Sequence, residues 1–341
     1  VLDHSAVTEG QTPAAAIRDS LALAVHCDGL GYHRYWVSEH HGSDAIGGTA
    51  PEVLLGAIAA TTKRMRLGSG GVMLPHYSAL HVAEQFRVLE AIAPGRIDLG
   101  IGRAPGSDGL TAQALNPQPP SAADMFPAQL RDLLAWVHGT ALPQGHAFAS
   151  VSAQPQGTDG PEVWVLGSSD YGAQLAAYFG LPYAYAHFFS PGRGSDAKAA
   201  QALASYRAGF RPGPYGAVPY AALAVTAMAA ESTERAEYEL GSRLLWSLRR
   251  ESGHHGPLPS PEEAARRAYT PSEQAWLERA RAAQIVGTGA QAAAGLTALG
   301  ERLGADELIV VTTAFDPAVR RQSYTLIAEA LGLVETARAA A

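Results

Sequence analysis

The 341 residues contain a single cysteine, Cys27. That excludes an internal disulfide framework and any cysteine-built metal centre. Cys27 ends the apolar stretch that begins at Leu21, so it reads as a small buried hydrophobe rather than a nucleophile. No run of about 18 apolar residues exists, and no charged-then-apolar leader opens the chain. No membrane span is therefore expected, and a soluble, reducing setting, most simply the cytoplasm, is. Positive charge is also scarce: 25 Lys and Arg face 32 Asp and Glu, for a net charge of −7. The cations are scattered, so neither nucleic acid nor an anionic membrane is an expected partner. A nicotinamide-binding fingerprint is missing as well.

What is present is an alternation. Short β-branched or aromatic runs alternate with longer Ala-rich amphipathic runs from end to end. The expected strands are Arg34–Ser38, Arg66–Leu74, Arg96–Ile101, Glu162–Leu166, Tyr183–Ala186, Ala221–Ala227 and Glu307–Thr312. A short first strand at Val1–Asp3 makes eight, and the start at Val1 rather than Met predicts that it is truncated. Helices are expected after Thr12-Pro13, from Thr49 to Thr62 and from Ser78 to Ala91. Further ones are expected over Ala123–His138, Tyr171–Gly180, Ser195–Gly209, Ser232–Arg250, Ala290–Leu303 and Pro317–Gly332. Near-continuous apolar strands, each followed by a helix, mark a parallel sheet buried on both faces. A doubly wound open sheet would alternate in the same way, but eight repeats over this length favour closure. The expected fold is one (β/α)₈ TIM barrel spanning residues 1–341. The stretch Glu251–Ser272 holds Gly253, Gly256, Pro257, Pro259, Pro261 and Pro271 and reads as an inserted mobile loop or lid before the last strand–helix units.

In such a barrel, chemistry sits at the C-terminal ends of the strands. Strand two ends in Ser38-Glu39-His40-His41, and adjacent extended residues point opposite ways, so at most one of the two histidines faces the mouth. The plain alternative is a hydrogen-bonding core residue. Glu39, His40 and His41 lack the spacing of a helical zinc pair, so no metal site is expected there. His254-His255 lies in the inserted loop and reads as solvated. Glycines inside strand three, Gly68, Gly70 and Gly71, mark either a packing requirement or a close ligand approach. Gly100-Ile101-Gly102-Arg103 puts a guanidinium at a strand end, where it could match a phosphate or be an ordinary surface cation. Gly167-Ser168-Ser169-Asp170 precedes a helix, with Asp170 expected to cap it. The same geometry can hold an anion.

Together these segments resemble one family. Trp36-Val37-Ser38-Glu39-His40-His41, Arg66-Leu67-Gly68-Ser69-Gly70-Gly71-Val72-Met73-Leu74-Pro75 and Ala93 to Arg103 look like the bacterial-luciferase-like flavin-dependent monooxygenases. Leu166 to Ser169, followed by Gly180 to His187, resembles one subgroup of them. The resemblance implies FMN at the barrel mouth. His40 falls at the histidine beside the flavin's reactive edge, and Gly70-Gly71 at a non-proline cis peptide under the ring. Arg103, Ser168 and Ser169 fall at the phosphate. It further implies that reduced FMN comes from a separate NAD(P)H:flavin reductase and reacts with O₂ through a C4a-hydroperoxyflavin to oxygenate an organic substrate. His40 would steer protons in that cycle with an imidazole pKa near 6.5. Met73, Tyr77, His187, Phe188 and Phe189 are expected near the substrate, and homodimerisation through outer helices is a family expectation. Rival readings are a deazaflavin-dependent hydride-transfer enzyme on the same fold, a non-catalytic flavin-binding protein, and a metal-dependent barrel hydrolase. Light emission with a long-chain aldehyde is possible for the family, and nothing in the sequence requires it.

Overall fold

A computed structural model describes residues 1–117, 124–157, 159–189 and 195–334. Its parallel strands are β1 (Leu2–Asp3), β2 (Arg34–Val37), β3 (Arg66–Met73), β4 (Ile97–Gly102), β5 (Glu162–Gly167), β6 (Tyr183–Ala186), β7 (Ala221–Ala230), β8 (Ile285–Thr288) and β9 (Glu307–Val311). Strands β1 to β7 pair in sequence order, β9 pairs with the lower part of β7, and β9 lies beside β1. The eight strands thus form a (β/α)₈ barrel, as the alternation predicts.

The period-two pattern sorts the side chains into two layers. Leu2, Trp36, Trp164, Ala184, Ala222, Ala224, Ile309 and Val311 fill the lumen. Tyr35, Val37, Leu67, Leu99, Val165, Tyr183 and Val225 face the surrounding helices. Bulky indoles therefore meet small alanines, which lets a narrow barrel close without voids. Glycine in β3 serves the same end: a Cβ on Gly68 would lie 2.8 Å from the Trp36 ring and 2.6 Å from the Asp98 Cβ. For Gly68 the packing reading accounts for the residue.

The outer helices are α1 (Pro13–Leu30), α2 (Pro51–Thr61), α3 (Ala79–Ile92), α5 (Phe126–His138), α6 (Asp170–Phe179), α7 (Ser195–Gly209), α11 (Gly289–Leu303) and α12 (Pro317–Ala330), with a short α4 (Gly109–Leu115) in the loop after β4. The expected start of α5 at Ala123 lies outside the described residues. Cys27 is fully buried in α1, and burial pushes its thiol pKa up to about 12, so it is an inert core residue.

One assignment from the sequence changes. The sequence reads Ser232–Arg250 as one more helix of the alternation and places an inserted loop or lid only over 251–272. Instead α8 (Thr233–Glu251), α9 (Pro261–Arg266), α10 (Pro271–Ala282) and β8 together form an insertion, and α11 packs on the barrel as the seventh helix. The 251–272 stretch carries α9 and is joined to the loop after β1 through a Thr8–Leu258 bridge. Strand β7 carries both parts, because its last four residues, Ala227–Ala230, extend beyond the barrel and pair with β8. Helix α8 crosses the rim of the mouth. Its Ala236 and Leu240 pack on Ala314 past β9, and its Trp246 packs with Ala45 and Leu258 beside Ile46 and Phe315.

Candidate active site

The mouth begins with Ser38, the residue after β2. Its hydroxyl lies 3.2 Å from His40 Nδ1 and 2.9 Å from His4 Nδ1, joining two imidazoles whose rings meet edge to face at 5.8 Å. A hydroxyl has one proton to give. With both bonds made, Ser38 donates to one ring and accepts from the other, so the two neutral rings carry opposite tautomers. Burial first, then Arg250 and His41, brings the His40 pKa down to about 4. Burial first, then His40 and Arg243 among nearby cations, takes His4 down to about 3. The expectation of an imidazole titrating near 6.5 is thereby corrected. At neutral pH both rings are uncharged hydrogen-bonding groups, because a desolvated imidazolium with cationic neighbours is unfavourable.

His41 points the other way, as alternation requires. Its Nε2 donates to Glu39 Oε1 at 2.8 Å, and Glu39 is fully buried. That carboxylate also accepts from Tyr77 Oη at 2.7 Å and from the Met73 amide at 3.0 Å. Burial, and then the Glu39 bond, raises the Tyr77 phenol pKa far above its ordinary value. Glu39 therefore ties the ends of β2 and β3 together. Met73 lies across the Gly106 turn, whose φ of +60° leaves no room for a side chain.

Between the histidines and β4, the Gly70–Gly71 peptide is cis, and the register with β4 shifts between Gly70 and Val72. A Cβ on Gly71 would come within 2.6 Å of the Gly100 carbonyl oxygen, so the backbone here passes close to its neighbour. At the next strand ends Arg103 lies over the ring of Tyr171, 4.2 Å from its centroid. Tyr171 is in the first turn of α6, so the guanidinium meets the helix start that carries Ser168 and Ser169. All three are exposed, and Arg103 has no carboxylate partner among the described residues. Ser169 is the N-cap but makes no capping bond with its side chain. Asp170, expected as the cap, is the first helical residue, and its buried Oδ1 has no hydrogen-bond partner.

The remaining expected residues separate. Phe188 packs at a tilt against His4 at 5.5 Å and against Phe189 at 4.4 Å, which puts it beside the imidazole pair. His187 is instead buried against α7, its Nε2 2.8 Å from Asp196, which in turn pairs with Arg302. His254 and His255 are exposed. Reading the sequence passed over His4 and Arg243, and it named Ser38 and Glu39 in the reactive segment without giving either a role of its own. His4 had a usable signal, since it directly follows a strand.

The whole chain matches a known family model, "luciferase-like monooxygenase", over residues 2–331. A luciferase-like monooxygenase of Escherichia coli (strain K12) is 39% identical over 326 residues, 96% of this chain and 94% of that protein. The N-acetyl-S-alkylcysteine monooxygenase of Bacillus subtilis (strain 168) is 34% identical over 331 residues, 97% of each. The crystal structure of apo-MsnO8 aligns with a TM-score of 0.87 at 37% identity, covering 98% of both chains. At the level of fold alone, the oxygenating constituent of 3,6-diketocamphane monooxygenase in complex with FMN aligns at 0.71 and 18% identity over 96% of each chain. An F420-dependent secondary alcohol dehydrogenase aligns at 0.69 and 13%, over 94% of this chain and 95% of that one. The chain belongs to the luciferase-like monooxygenase family and is an oxidoreductase of the monooxygenase kind.

Proposed function

We propose that the barrel mouth binds FMN and that the enzyme uses reduced FMN and O₂ to oxygenate a small organic molecule. The observation that carries this reading is the cationic, uncapped corner where Arg103 rests on Tyr171 beside Ser168 and Ser169. It suits a phosphate: the guanidinium offers paired donors and the start of α6 offers free amides and a positive dipole end. Asp170 Oδ1, a buried acceptor without a protein donor, would suit a hydroxyl of the chain leading to that phosphate. Gly70 and Gly71 would let a flat ring approach the backbone. Bound reduced FMN supplies the electron pair that leaves one oxygen atom in the substrate and the other in water.

The protein's own groups prepare the surroundings. Ser38 fixes the orientation of His40, which stays neutral and can hold a proton at one defined nitrogen beside the ring. Phe188, Tyr77 and Met73 bring apolar or hydrogen-bonded surface to the same region and limit access of water, which is what prevents loss of the oxidising equivalent as hydrogen peroxide. The relative that oxidises N-acetyl-S-alkylcysteines makes thioethers sensible first substrates to assay. Lack of a nicotinamide fingerprint supports delivery of reduced flavin by a separate NAD(P)H:flavin reductase. The exposed Val53, Val88 and Ile92 on α2 and α3 would suit a second copy of the chain in a homodimer, and a cytoplasmic setting agrees with the buried free thiol.

Arg103→Ala is expected to weaken FMN binding at least tenfold in a fluorescence titration, since one charge-assisted pair contributes about 1.5–3 kcal/mol. Equal affinity would remove the phosphate assignment. Oxygen uptake with reduced FMN, and its absence with a reduced deazaflavin, separates this reading from hydride transfer. In His40→Ala, FMN should still bind while oxygen uptake runs more to peroxide; an unchanged product yield would exclude His40.

A further inference from the structure

Helix α8 carries an arginine that the flavin reading leaves unused. Arg243 is 8% exposed, and its one hydrogen bond among the described residues is a long one, from Nη1 to Thr313 Oγ1 at 3.4 Å. It makes no ion pair, unlike Arg34 and Arg320, each of which meets a carboxylate. Unlike the buried Arg87, whose guanidinium donates to the backbone carbonyls of Trp136, Val137, Pro155 and Gly157, it has no set of carbonyls in place of one. The acidic groups at the neighbouring strand ends and on the same helix are committed elsewhere. Asp3 is held by Arg320 and Tyr35, and Glu39 by His41, Tyr77 and the Met73 amide. Glu239, one turn earlier on the same helix, is turned to Arg235, and Asp316 caps α12. The nearest charge of consequence is another cation, Arg250, two turns further on the same helix. Burial first, and then Arg250, brings the Arg243 pKa down to about 10, which still leaves it charged at neutral pH.

A buried charge without a counter-charge is costly to a fold, and its natural remedy is an anion from outside. Arg243 lies at the right place to receive one. Thr313 is two residues past β9 and His4 is the residue after β1, so the guanidinium is at the rim between these strand ends. The ring of strands runs β1 to β7 and then β9, so this rim is four strands away from the β4–β5 corner that holds Arg103. One phosphate cannot use both arginines. The groups next to Arg243 are a neutral imidazole and, behind it, the rings of Phe188 and Phe189.

We propose that Arg243 binds the carboxylate of the organic substrate, whose apolar body lies along His4 and Phe188 towards His40. This rests on the reading of the mouth as the oxygenation site and names the substrate class for it: apolar molecules with one carboxylate. The guanidinium pairs with the carboxylate through two parallel N–H bonds, and Thr313 completes the seat with its hydroxyl. Arg250, exposed on the same face of α8 and lying over Trp246, adds a second positive field at the entrance.

Calorimetric titration of the whole protein with octanoate, phenylacetate and the neutral octanamide tests this without turnover. At least one of the two carboxylates is expected to bind ten times or more tightly than octanamide. Arg243→Met should abolish that preference, Arg243→Lys should keep part of it, and FMN affinity should stay as in the parent in both. Because the arginine is unpaired in the empty protein, Arg243→Met is also expected to melt no lower than the parent without ligand, whereas a structural arginine would lower the melting temperature. If Arg243→Met does not fold, Arg243→Lys carries the comparison. No carboxylate preference in the parent, or the same preference in Arg243→Lys and Arg243→Met as in the parent, overturns the proposal. An FMN loss in the Arg243 variants like that of Arg103→Ala assigns the guanidinium to the flavin and also overturns it. Failure of Arg103→Ala alone to lose FMN would instead count against the flavin reading.

Discussion

Buried arginines sit at both ends of the barrel, and they are treated in opposite ways. At the floor, Arg34 of β2 donates to Asp98 of β4 at 2.7 Å and to Glu307 of β9 at 2.6 Å, while Arg66 of β3 reaches the other Asp98 oxygen at 2.5 Å. The Trp36 indole also donates to Asp98, at 2.9 Å. Burial pulls the Arg34 pKa down, but the two carboxylates outweigh it and hold the guanidinium firmly charged. At the mouth, Arg243 is as buried and has no carboxylate, and two imidazoles beside it are kept neutral. The floor closes its charges on themselves and ties four strands together. The mouth leaves its charges open, as expected where barrels bind and react rather than where they are held together.

The sharpest way to break this contrast is Arg34→Met. It leaves Glu307 without its cation and Asp98 with Arg66 and Trp36 alone, and removing one partner of a buried pair costs about 3–5 kcal/mol. A large drop in melting temperature is expected. If Arg34→Met and Arg243→Met shift melting equally, floor and mouth do not differ in kind.

Acid should act on the mouth next. His40 and His4 have folded pKa values near 4 and 3, below the 6.5 of a free imidazole. As pH falls below about 6.5 the unfolded chain takes up protons that the folded rings refuse. Stability contributed by the neutral rings is therefore present above that pH and is lost on the way down to the folded values, at up to about 1.4 kcal/mol per pH unit for each ring. His4→Gln and His40→Gln should each reduce the fall in melting temperature between pH 7 and pH 4.5. Parallel pH curves for parent and variants would contradict this.

The smallest expected effect is that of Glu39→Gln, about 1–2 kcal/mol, because the amide keeps one acceptor and loses the charge that serves Tyr77, His41 and the Met73 amide. An accompanying rise in proteolysis between His41 and Tyr77 would place the loss at the tie between β2 and β3. No change in stability would show that the tie is held by packing instead.

Strands and outer helices were legible in the sequence wherever apolar period and length agreed, as in β3, β4 and α1. Of the insertion only the break over 251–272 was. Strand β8 is four residues, Ile285-Val286-Gly287-Thr288, and exists only because the overhang of β7 offers it a partner. Helix α8 has the same caps and amphipathic spacing as a barrel helix, and only its tertiary contacts reveal that it crosses the mouth. The site divides along the same line. His40, the Gly70-Gly71 bulge and Arg103 each carry a local signature at a strand end. Arg243 has none, for its meaning comes from Thr313 and His4, far away along the chain, and from a carboxylate that is not there.

The ten-residue length of β7 has a mechanical consequence. Its first half is a stave of the barrel and its second half is the hinge post for α8, so both rest on one continuous rod of backbone. The insertion cannot swing clear as a free flap without unzipping the rungs from Ala227 to Ala230. Arg243 is thus fixed relative to the strand ends, and a substrate grasped there would be measured against a rigid ruler.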